Sequence, residues 1–127
     1  MSELQIRVSY ADTDQMGMVY YANYLQFFER GRTEWLREKG LRYKDLEDQG
    51  VYLPVIEASC RYLAPARYDE LVLVRTEACE IGFASVEFGY DLFVEGKKIA
   101  TGRTKHPFVN RDFKPARIPE WIKEKLK

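Results

Sequence analysis

Between Tyr21 and Leu36, apolar positions recur at Tyr21, Tyr24, Leu25, Phe28, Gly31, Trp35 and Leu36, the i, i+3, i+4, i+7 spacing of one helix face. Gln26, Glu29, Arg30, Thr33, Glu34 and Arg37 occupy the other face. Gly40 follows as a stop signal. At ~1.5 Å per residue such a helix reaches roughly 27 Å, long enough to cross a sheet. Gly31 lowers helix propensity on the buried stripe, and the expected return is close approach to a strand beneath it.

Elsewhere the period is two. "LQIRVSY" (4–10) reads as a first strand, followed by a loop through Gly17. After the polar connection "LRYKDLEDQG", which has room for one more helical turn, "VYLPVIEASCRYL" (51–63) sets Tyr52, Ile56, Ala58, Cys60 and Tyr62 on one side. "LVLVRTEACEI" (71–81) begins apolar on both faces, as a strand covered on both sides would. "ASVEFGYDLFVE" (84–95) alternates cleanly, "EGKK" reads as a hairpin turn, and "KIATGRTKHPFV" (98–109) returns with Ala100, Gly102 and Thr104 on one face. Bulky helix residues fit above those small ones. "IPEWIKEKLK" closes with a short helix, Pro119 near its start. A strand, a long helix and four further strands predict an α+β fold, a five-stranded antiparallel sheet wrapped around one dominant helix.

The 127 residues fit one domain, 1–127, with one modest core. Lys plus Arg and Asp plus Glu number 20 each, so no global field attracts polyanions and nucleic acid is not expected as the main partner. Cys60 and Cys79 lie in apolar strands without ligand-rich neighbours, and the chain holds a single histidine. No metal site is expected, and the cysteines read as buried thiols. The N-terminal residues lack a signal-peptide pattern and no run approaches ~20 apolar residues, so a cytoplasmic protein without a membrane span is expected. Patterns for a nucleotide loop, a serine hydrolase elbow or a zinc protease are absent.

The chemistry concentrates in "SYADTDQMGMVYYANYLQFF" (9–28). Taken alone, Asp12 and Asp14 read as turn or capping residues. Asn23 reads as an N-cap with Gln26 reaching back, which starts the helix at residue 24.

The stretch "YADTDQMGMVYYANYLQFFERGRTEWLREKG" nevertheless closely resembles the signature of the 4-hydroxybenzoyl-CoA thioesterase family of hotdog-fold enzymes, especially its YbgC-like acyl-CoA thioesterase branch. "YLAPARYDELVLV" (62–74) resembles that family's next recurrent segment. The resemblance covers nearly the whole chain and implies a hotdog fold, with the long helix inside the sheet. It implies an acyl-CoA thioesterase acting on small-to-medium aliphatic or aromatic acyl groups. It further implies no cofactor beyond the coenzyme A of the substrate, and a homodimer or homotetramer with the site between subunits. Acyl carrier protein is a second candidate donor.

By position, Asp14 resembles the family's catalytic carboxylate, and Asp12 a loop-shaping residue. Tyr21 falls where the YbgC-like branch usually carries histidine, so an imidazole role is missing here. Other members have tyrosine there, and in them the backbone N–H at the helix start polarises the thioester oxygen. Under that reading the helix begins near Tyr20–Tyr21. Gly17 lets the backbone approach the substrate without a Cβ in the way. Met16, Met18, Tyr20 and Tyr24 wall an acyl slot, with Phe28 read as core, and Ser85 lies near the bound coenzyme.

Asp14 can then act as nucleophile or as general base. Candidate phosphate partners are Arg61, Arg67, Arg103 and Lys105, while His106 reads as a strand histidine. Two rivals are weighed: a hotdog hydratase or dehydratase, which needs a histidine that the helix-entry motif lacks, and a non-catalytic binder of acyl-CoA or acyl carrier protein.

Overall fold

The computed structural model describes all residues, 1–127. Its elements run β1 (Ser2–Arg7), a single 3₁₀ turn (Tyr10–Asp12), α1 (Asn23–Glu38), α2 (Tyr43–Asp48), β2 (Glu57–Tyr62), β3 (Leu71–Ile81), β4 (Ser85–Val94), β5 (Lys97–Pro107) and α3 (Glu120–Leu126). Five antiparallel strands form one sheet in the order β1-β3-β4-β5-β2. α1 packs across one face of it, touching β1, β2, β3 and β4. This is the expected α+β layout with the long helix held in the sheet.

The strand pattern explains the layering. Val86, Phe88, Tyr90, Leu92 and Val94 alternate inward along β4 and are all buried. Glu95 and Gly96 both have positive φ, 49° and 79°, which matches the twist of a two-residue hairpin into β5. Above the sheet, Phe28 stacks on Tyr90 with ring centroids 4.3 Å apart, and Trp35 meets Phe88 edge-on at 5.2 Å.

Two glycines let the layers meet. A Cβ at Gly31 would sit 2.9 Å from Val74 Cγ1 and closer still to Thr76 Oγ1. A Cβ at Gly102 would come within 2.5 Å of both the Phe28 ring and the Ser59 carbonyl oxygen. The close approach inferred from Gly31 and the small face of β5 are therefore present. α1 ends where Gly40 suggested: Leu41 N–H donates to Leu36 O at 2.9 Å and Gly40 N–H to Arg37 O at 3.0 Å, with Gly40 at φ +79°. That pair of bonds closes the helix with a left-handed residue.

Several boundaries differ from the sequence reading. β1 stops at Arg7 rather than Tyr10, because the chain turns at Ser9 into the 3₁₀ segment. The strand expected over 51–63 shrinks to six residues. Tyr52 pairs instead with Val109, and the Leu53 carbonyl accepts a bond from His106, next to a proline that has no N–H to give. Asn23 does not cap α1; Ala22 occupies that place without a side-chain bond, and the helix starts between the two expected positions. Tyr21 and Leu25, assigned to the buried stripe, are exposed, while Phe27 and Arg32 are buried. Leu71 on the outer face of β3 is 37% exposed, so nothing in this chain covers that face. Cys79 is exposed and Cys60 only half-buried; both are free thiols.

Beneath α1 runs a polar chain that the periodicity did not show. Tyr90 Oη and Thr104 Oγ1 share a bond at 2.5 Å, and Thr104 Oγ1 lies 2.8 Å from His106 Nε2. His106 Nδ1 is 3.2 Å from the Leu53 carbonyl, which only accepts, so Nδ1 carries the proton and Nε2 accepts from Thr104. His106 is fully buried, and burial pushes its pKa down to about 4.

Two outcomes are expected. Gly31→Ala should destabilise the fold by ~1–3 kcal/mol through overpacking, despite alanine's better helix propensity. A lowered urea midpoint checks this, and an unchanged midpoint would show room under α1. His106 is neutral in the folded state and titrates near ~6.5 when unfolded. Its contribution is thus complete above ~6.5 and lost as pH falls towards 4, by up to about 1.4 kcal/mol per pH unit. His106→Gln should flatten the stability profile in that window, and a profile parallel to the parent's would refute the assignment.

Candidate active site

The loop between β1 and α1 is shaped by Asp12. Its Oδ2 accepts from Ser9 N–H at 2.9 Å and from Ser9 Oγ at 3.0 Å. Its carbonyl accepts from Tyr20 N–H at 2.9 Å and Asn23 Nδ2 at 2.8 Å. One residue therefore fastens the start of the loop to the start of the helix. Asn23 serves that tie instead of capping.

Within the loop, Asp14 N–H donates to Met18 O at 2.8 Å and Gly17 N–H to Asp14 O at 3.0 Å. Gly17 holds φ +77°. Bridges from Thr13 to Val19 and from Met18 to Arg67 pin this small hairpin against the segment after β2. The Asp14 side chain is bound on one oxygen only: Oδ1 accepts Met16 N–H at 2.8 Å and Met18 N–H at 3.3 Å. Oδ2 has no protein donor, so it is free to act on a ligand.

At the head of α1, Asn23 N–H donates to Tyr20 O at 2.8 Å, and Tyr24 and Leu25 N–H to Tyr21 O and Ala22 O at 3.3 Å each. The N–H groups of Tyr21 and Ala22 have no backbone acceptor. Such orphan donors carry the positive end of the helix dipole.

Asp14 and Tyr21 line one open groove of about 340 Å³, together with Met16, Met18, Tyr24 and Tyr62. Its remaining walls are Val19, Ala64 and Pro65. Asp14 is the only carboxylate in an otherwise apolar and tyrosine-rich lining. A carboxylate oxygen and a helix-start donor beside an apolar channel can hydrolyse a small acyl compound held there. A larger hollow of about 660 Å³ lies on the outer face of the sheet among Arg7, Leu73, Arg75 and Phe93. It has no helix start, and its three carboxylates, Asp69, Glu70 and Glu95, share it with Arg7 and Arg75, so size does not make it the reactive site.

Five of the expected residues thus come together: Asp14, Met16, Met18, Tyr21 and Tyr24. Three do not. Gly17 stays off the groove wall, with no atom within 4 Å of where its Cβ would be, and its glycine serves the left-handed turn rather than a close approach. Tyr20 packs its ring beside Tyr21, centroids 4.7 Å apart, and is 45% exposed outside the groove. Ser85 is remote: Tyr62 pairs with Ala100 and Ala100 with Leu92, seven residues along β4 from Ser85. At ~3.4 Å per residue that is roughly 24 Å. Phe28, read as core, is fully buried.

Val19, Tyr62, Ala64 and Pro65 line the groove without being expected there from the sequence. For the last three the available signal is the block "YLAPARYDELVLV", whose resemblance to the family carries no site role by itself, and Val19 stands inside the loop motif. Of the candidate phosphate partners, Arg103 is paired with Glu87 at 3.1 Å, whereas Arg61, Arg67 and Lys105 form no ion pair. His106 lies under α1, away from the groove lining. No three His, Cys, Asp or Glu side chains converge as a metal site, and no helix is long and apolar enough to cross a membrane.

Comparison with known proteins is consistent across the chain. Residues 8–126 match the family model described as the thioesterase-like superfamily. The chain is 35% identical over 120 residues to the acyl-CoA thioesterase YbgC of Haemophilus influenzae, covering 93% of this chain and 88% of that protein. A hypothetical protein from Thermus thermophilus superposes with a TM-score of 0.94 at 39% identity, covering 99% of this chain and 97% of the other. The DHNA-CoA thioesterase of Staphylococcus aureus superposes with a TM-score of 0.92 at 33% identity, covering 98% and 87%.

Proposed function

The chain belongs to the thioesterase-like superfamily, and from that membership we propose that it is an acyl-CoA thioesterase using Asp14 and the backbone N–H of Tyr21. The observation that carries the reading is the groove in which a carboxylate with one unbound oxygen shares a wall with a helix start whose first N–H groups are unpaired. The named activities of the relatives at 35% and 33% identity support the same chemistry.

A thioester carbonyl is electrophilic and its thiolate leaves readily, so little machinery is needed. The Tyr21 N–H would draw charge onto the carbonyl oxygen as the tetrahedral intermediate forms, a role typically worth ~3–4 kcal/mol on the barrier. Asp14 Oδ2 would either attack the carbonyl carbon, forming a mixed anhydride that water then opens, or take a proton from the attacking water. In both routes the C–S bond breaks, and the thiolate leaves and is then protonated.

The acyl group would lie against Met16, Met18, Tyr24 and Tyr62, a lining suited to small-to-medium aliphatic or aromatic chains. The hydratase or dehydratase reading loses its histidine, since both ring nitrogens of His106 are engaged with Thr104 and Leu53 beneath the helix.

A homodimer or homotetramer is part of the same proposal. β2 is an edge strand, and Ile56 just before it and Tyr62 at its end are 57% and 45% exposed. Ser85 could serve a groove only as a residue of a neighbouring copy, given its distance along β4. An acyl-CoA substrate would place the enzyme in the cytoplasm.

Asp14→Asn should lower kcat by at least ~10²-fold, the size of a lost base or nucleophile. Thiol release measured across short, medium, long and aromatic acyl-CoAs and an acyl carrier protein thioester checks this. Near-parental turnover in the variant would refute the role of Asp14. A parent that binds acyl-CoA but releases no thiol would favour the binder.

A further inference from the structure

We infer that Tyr62 is a positioning residue that holds the Tyr21 backbone in place as the donor to the thioester oxygen. The inference rests on the thioesterase reading above and adds a residue from the other end of the fold. Tyr62 Oη donates to the Tyr21 carbonyl at 2.8 Å, across 41 residues of sequence.

Asp12 ties down the residues on either side, Tyr20 and Asn23, but the Tyr21–Ala22 peptide between them has little else to hold it. Ala22 offers no capping side chain, and Asn23 points its amide back to Asp12. Besides Tyr62, the Tyr21 carbonyl receives only the long 3.3 Å bond from Tyr24 N–H. Tyr62 itself is well anchored. It ends β2 in register with Ala100, and Leu63 and Ala64 N–H both donate to Ile99 O, at 2.8 and 3.2 Å. Its ring meets Tyr24 edge-on, centroids 4.9 Å apart at 84°, and Tyr24 is buried.

Packing alone would not require the hydroxyl. The Tyr62 side chain lines the groove and is 45% exposed, where phenylalanine would give the same edge-on contact. Partial desolvation, then the neighbouring Cys60 thiol, push the phenol up to about 12, further above the neutral range in which a phenol is already a protonated donor. The Tyr21 carbonyl also belongs to the peptide unit that carries the unpaired Ala22 N–H. A bond accepted at one end of a peptide strengthens donation at the other. The hydroxyl thereby fixes the backbone of residue 21 and polarises the next free donor.

The test compares the parent with Tyr62→Phe and with 3-fluorotyrosine at position 62, which keeps the ring and makes the phenol more acidic. Steady-state hydrolysis of an acyl-CoA and the ¹H–¹⁵N amide spectrum of the free protein are the readouts. The expected result for Tyr62→Phe is a shifted Ala22 amide resonance, a kcat lowered roughly three- to tenfold, and a KM within about twofold of the parent. Fluorotyrosine should move the same resonance without the loss in kcat. An active parent with unchanged kcat in Tyr62→Phe, or an Ala22 resonance that stays put in both proteins, overturns this inference alone. A parent that hydrolyses no acyl-CoA sinks the thioesterase reading, and this inference with it.

Discussion

Everything at the groove depends on how closely α1 rests on the sheet. At Gly31 no side chain separates the helix from Val74 and Thr76. At Gly102 the Phe28 ring fills the space that a Cβ would need. These two contacts fix the height and lateral position of the helix, so its first residues emerge beside the end of β2. The arrangement leaves Thr76 Oγ1 buried without a partner, a cost accepted where the packing is tightest.

With the helix so placed, the loop ahead of it has few places to go. Asp12 gathers Ser9, Tyr20 and Asn23 onto one side chain and one carbonyl. Asp14 is then held by the backbone of its own turn, through one oxygen, and faces the groove that Tyr21 also lines. The two aspartates of "DTD" thus divide the labour: Asp12 spends its hydrogen bonds on shape, and Asp14 keeps half of its own unspent.

The single histidine shows the opposite use of a titratable group. Tyr90, Thr104, His106 and the Leu53 carbonyl form a satisfied relay inside the core, with Arg32 donating nearby to Tyr43 Oη at 3.0 Å. Every member has a partner, which is the condition under which buried polar groups specify a structure instead of weakening it. The relay and the groove share no residue, and the reaction proposed for the groove makes no use of an imidazole.

Local chemistry in the sequence determined much of this protein. Alternation in β4, most of the helical stripe, Gly40 as a terminator and the small face of β5 are properties of neighbouring residues, and each is visible without coordinates. The loop motif sets Asp14 shortly ahead of a helix start, and only its resemblance to a family implies a chemistry for the two. What sequence could not supply were choices between competing partners. Asn23 could cap its own helix or tie back to Asp12, and only the folded loop brings the Asp12 carbonyl within reach. Leu53 could continue a strand or accept from His106, and only the packing of β5 decides. Tyr62 read as one more residue on a strand face until the sheet carried it to the Tyr21 carbonyl. In each case the partner taken lies far away in sequence, so only the folded chain brings it within reach.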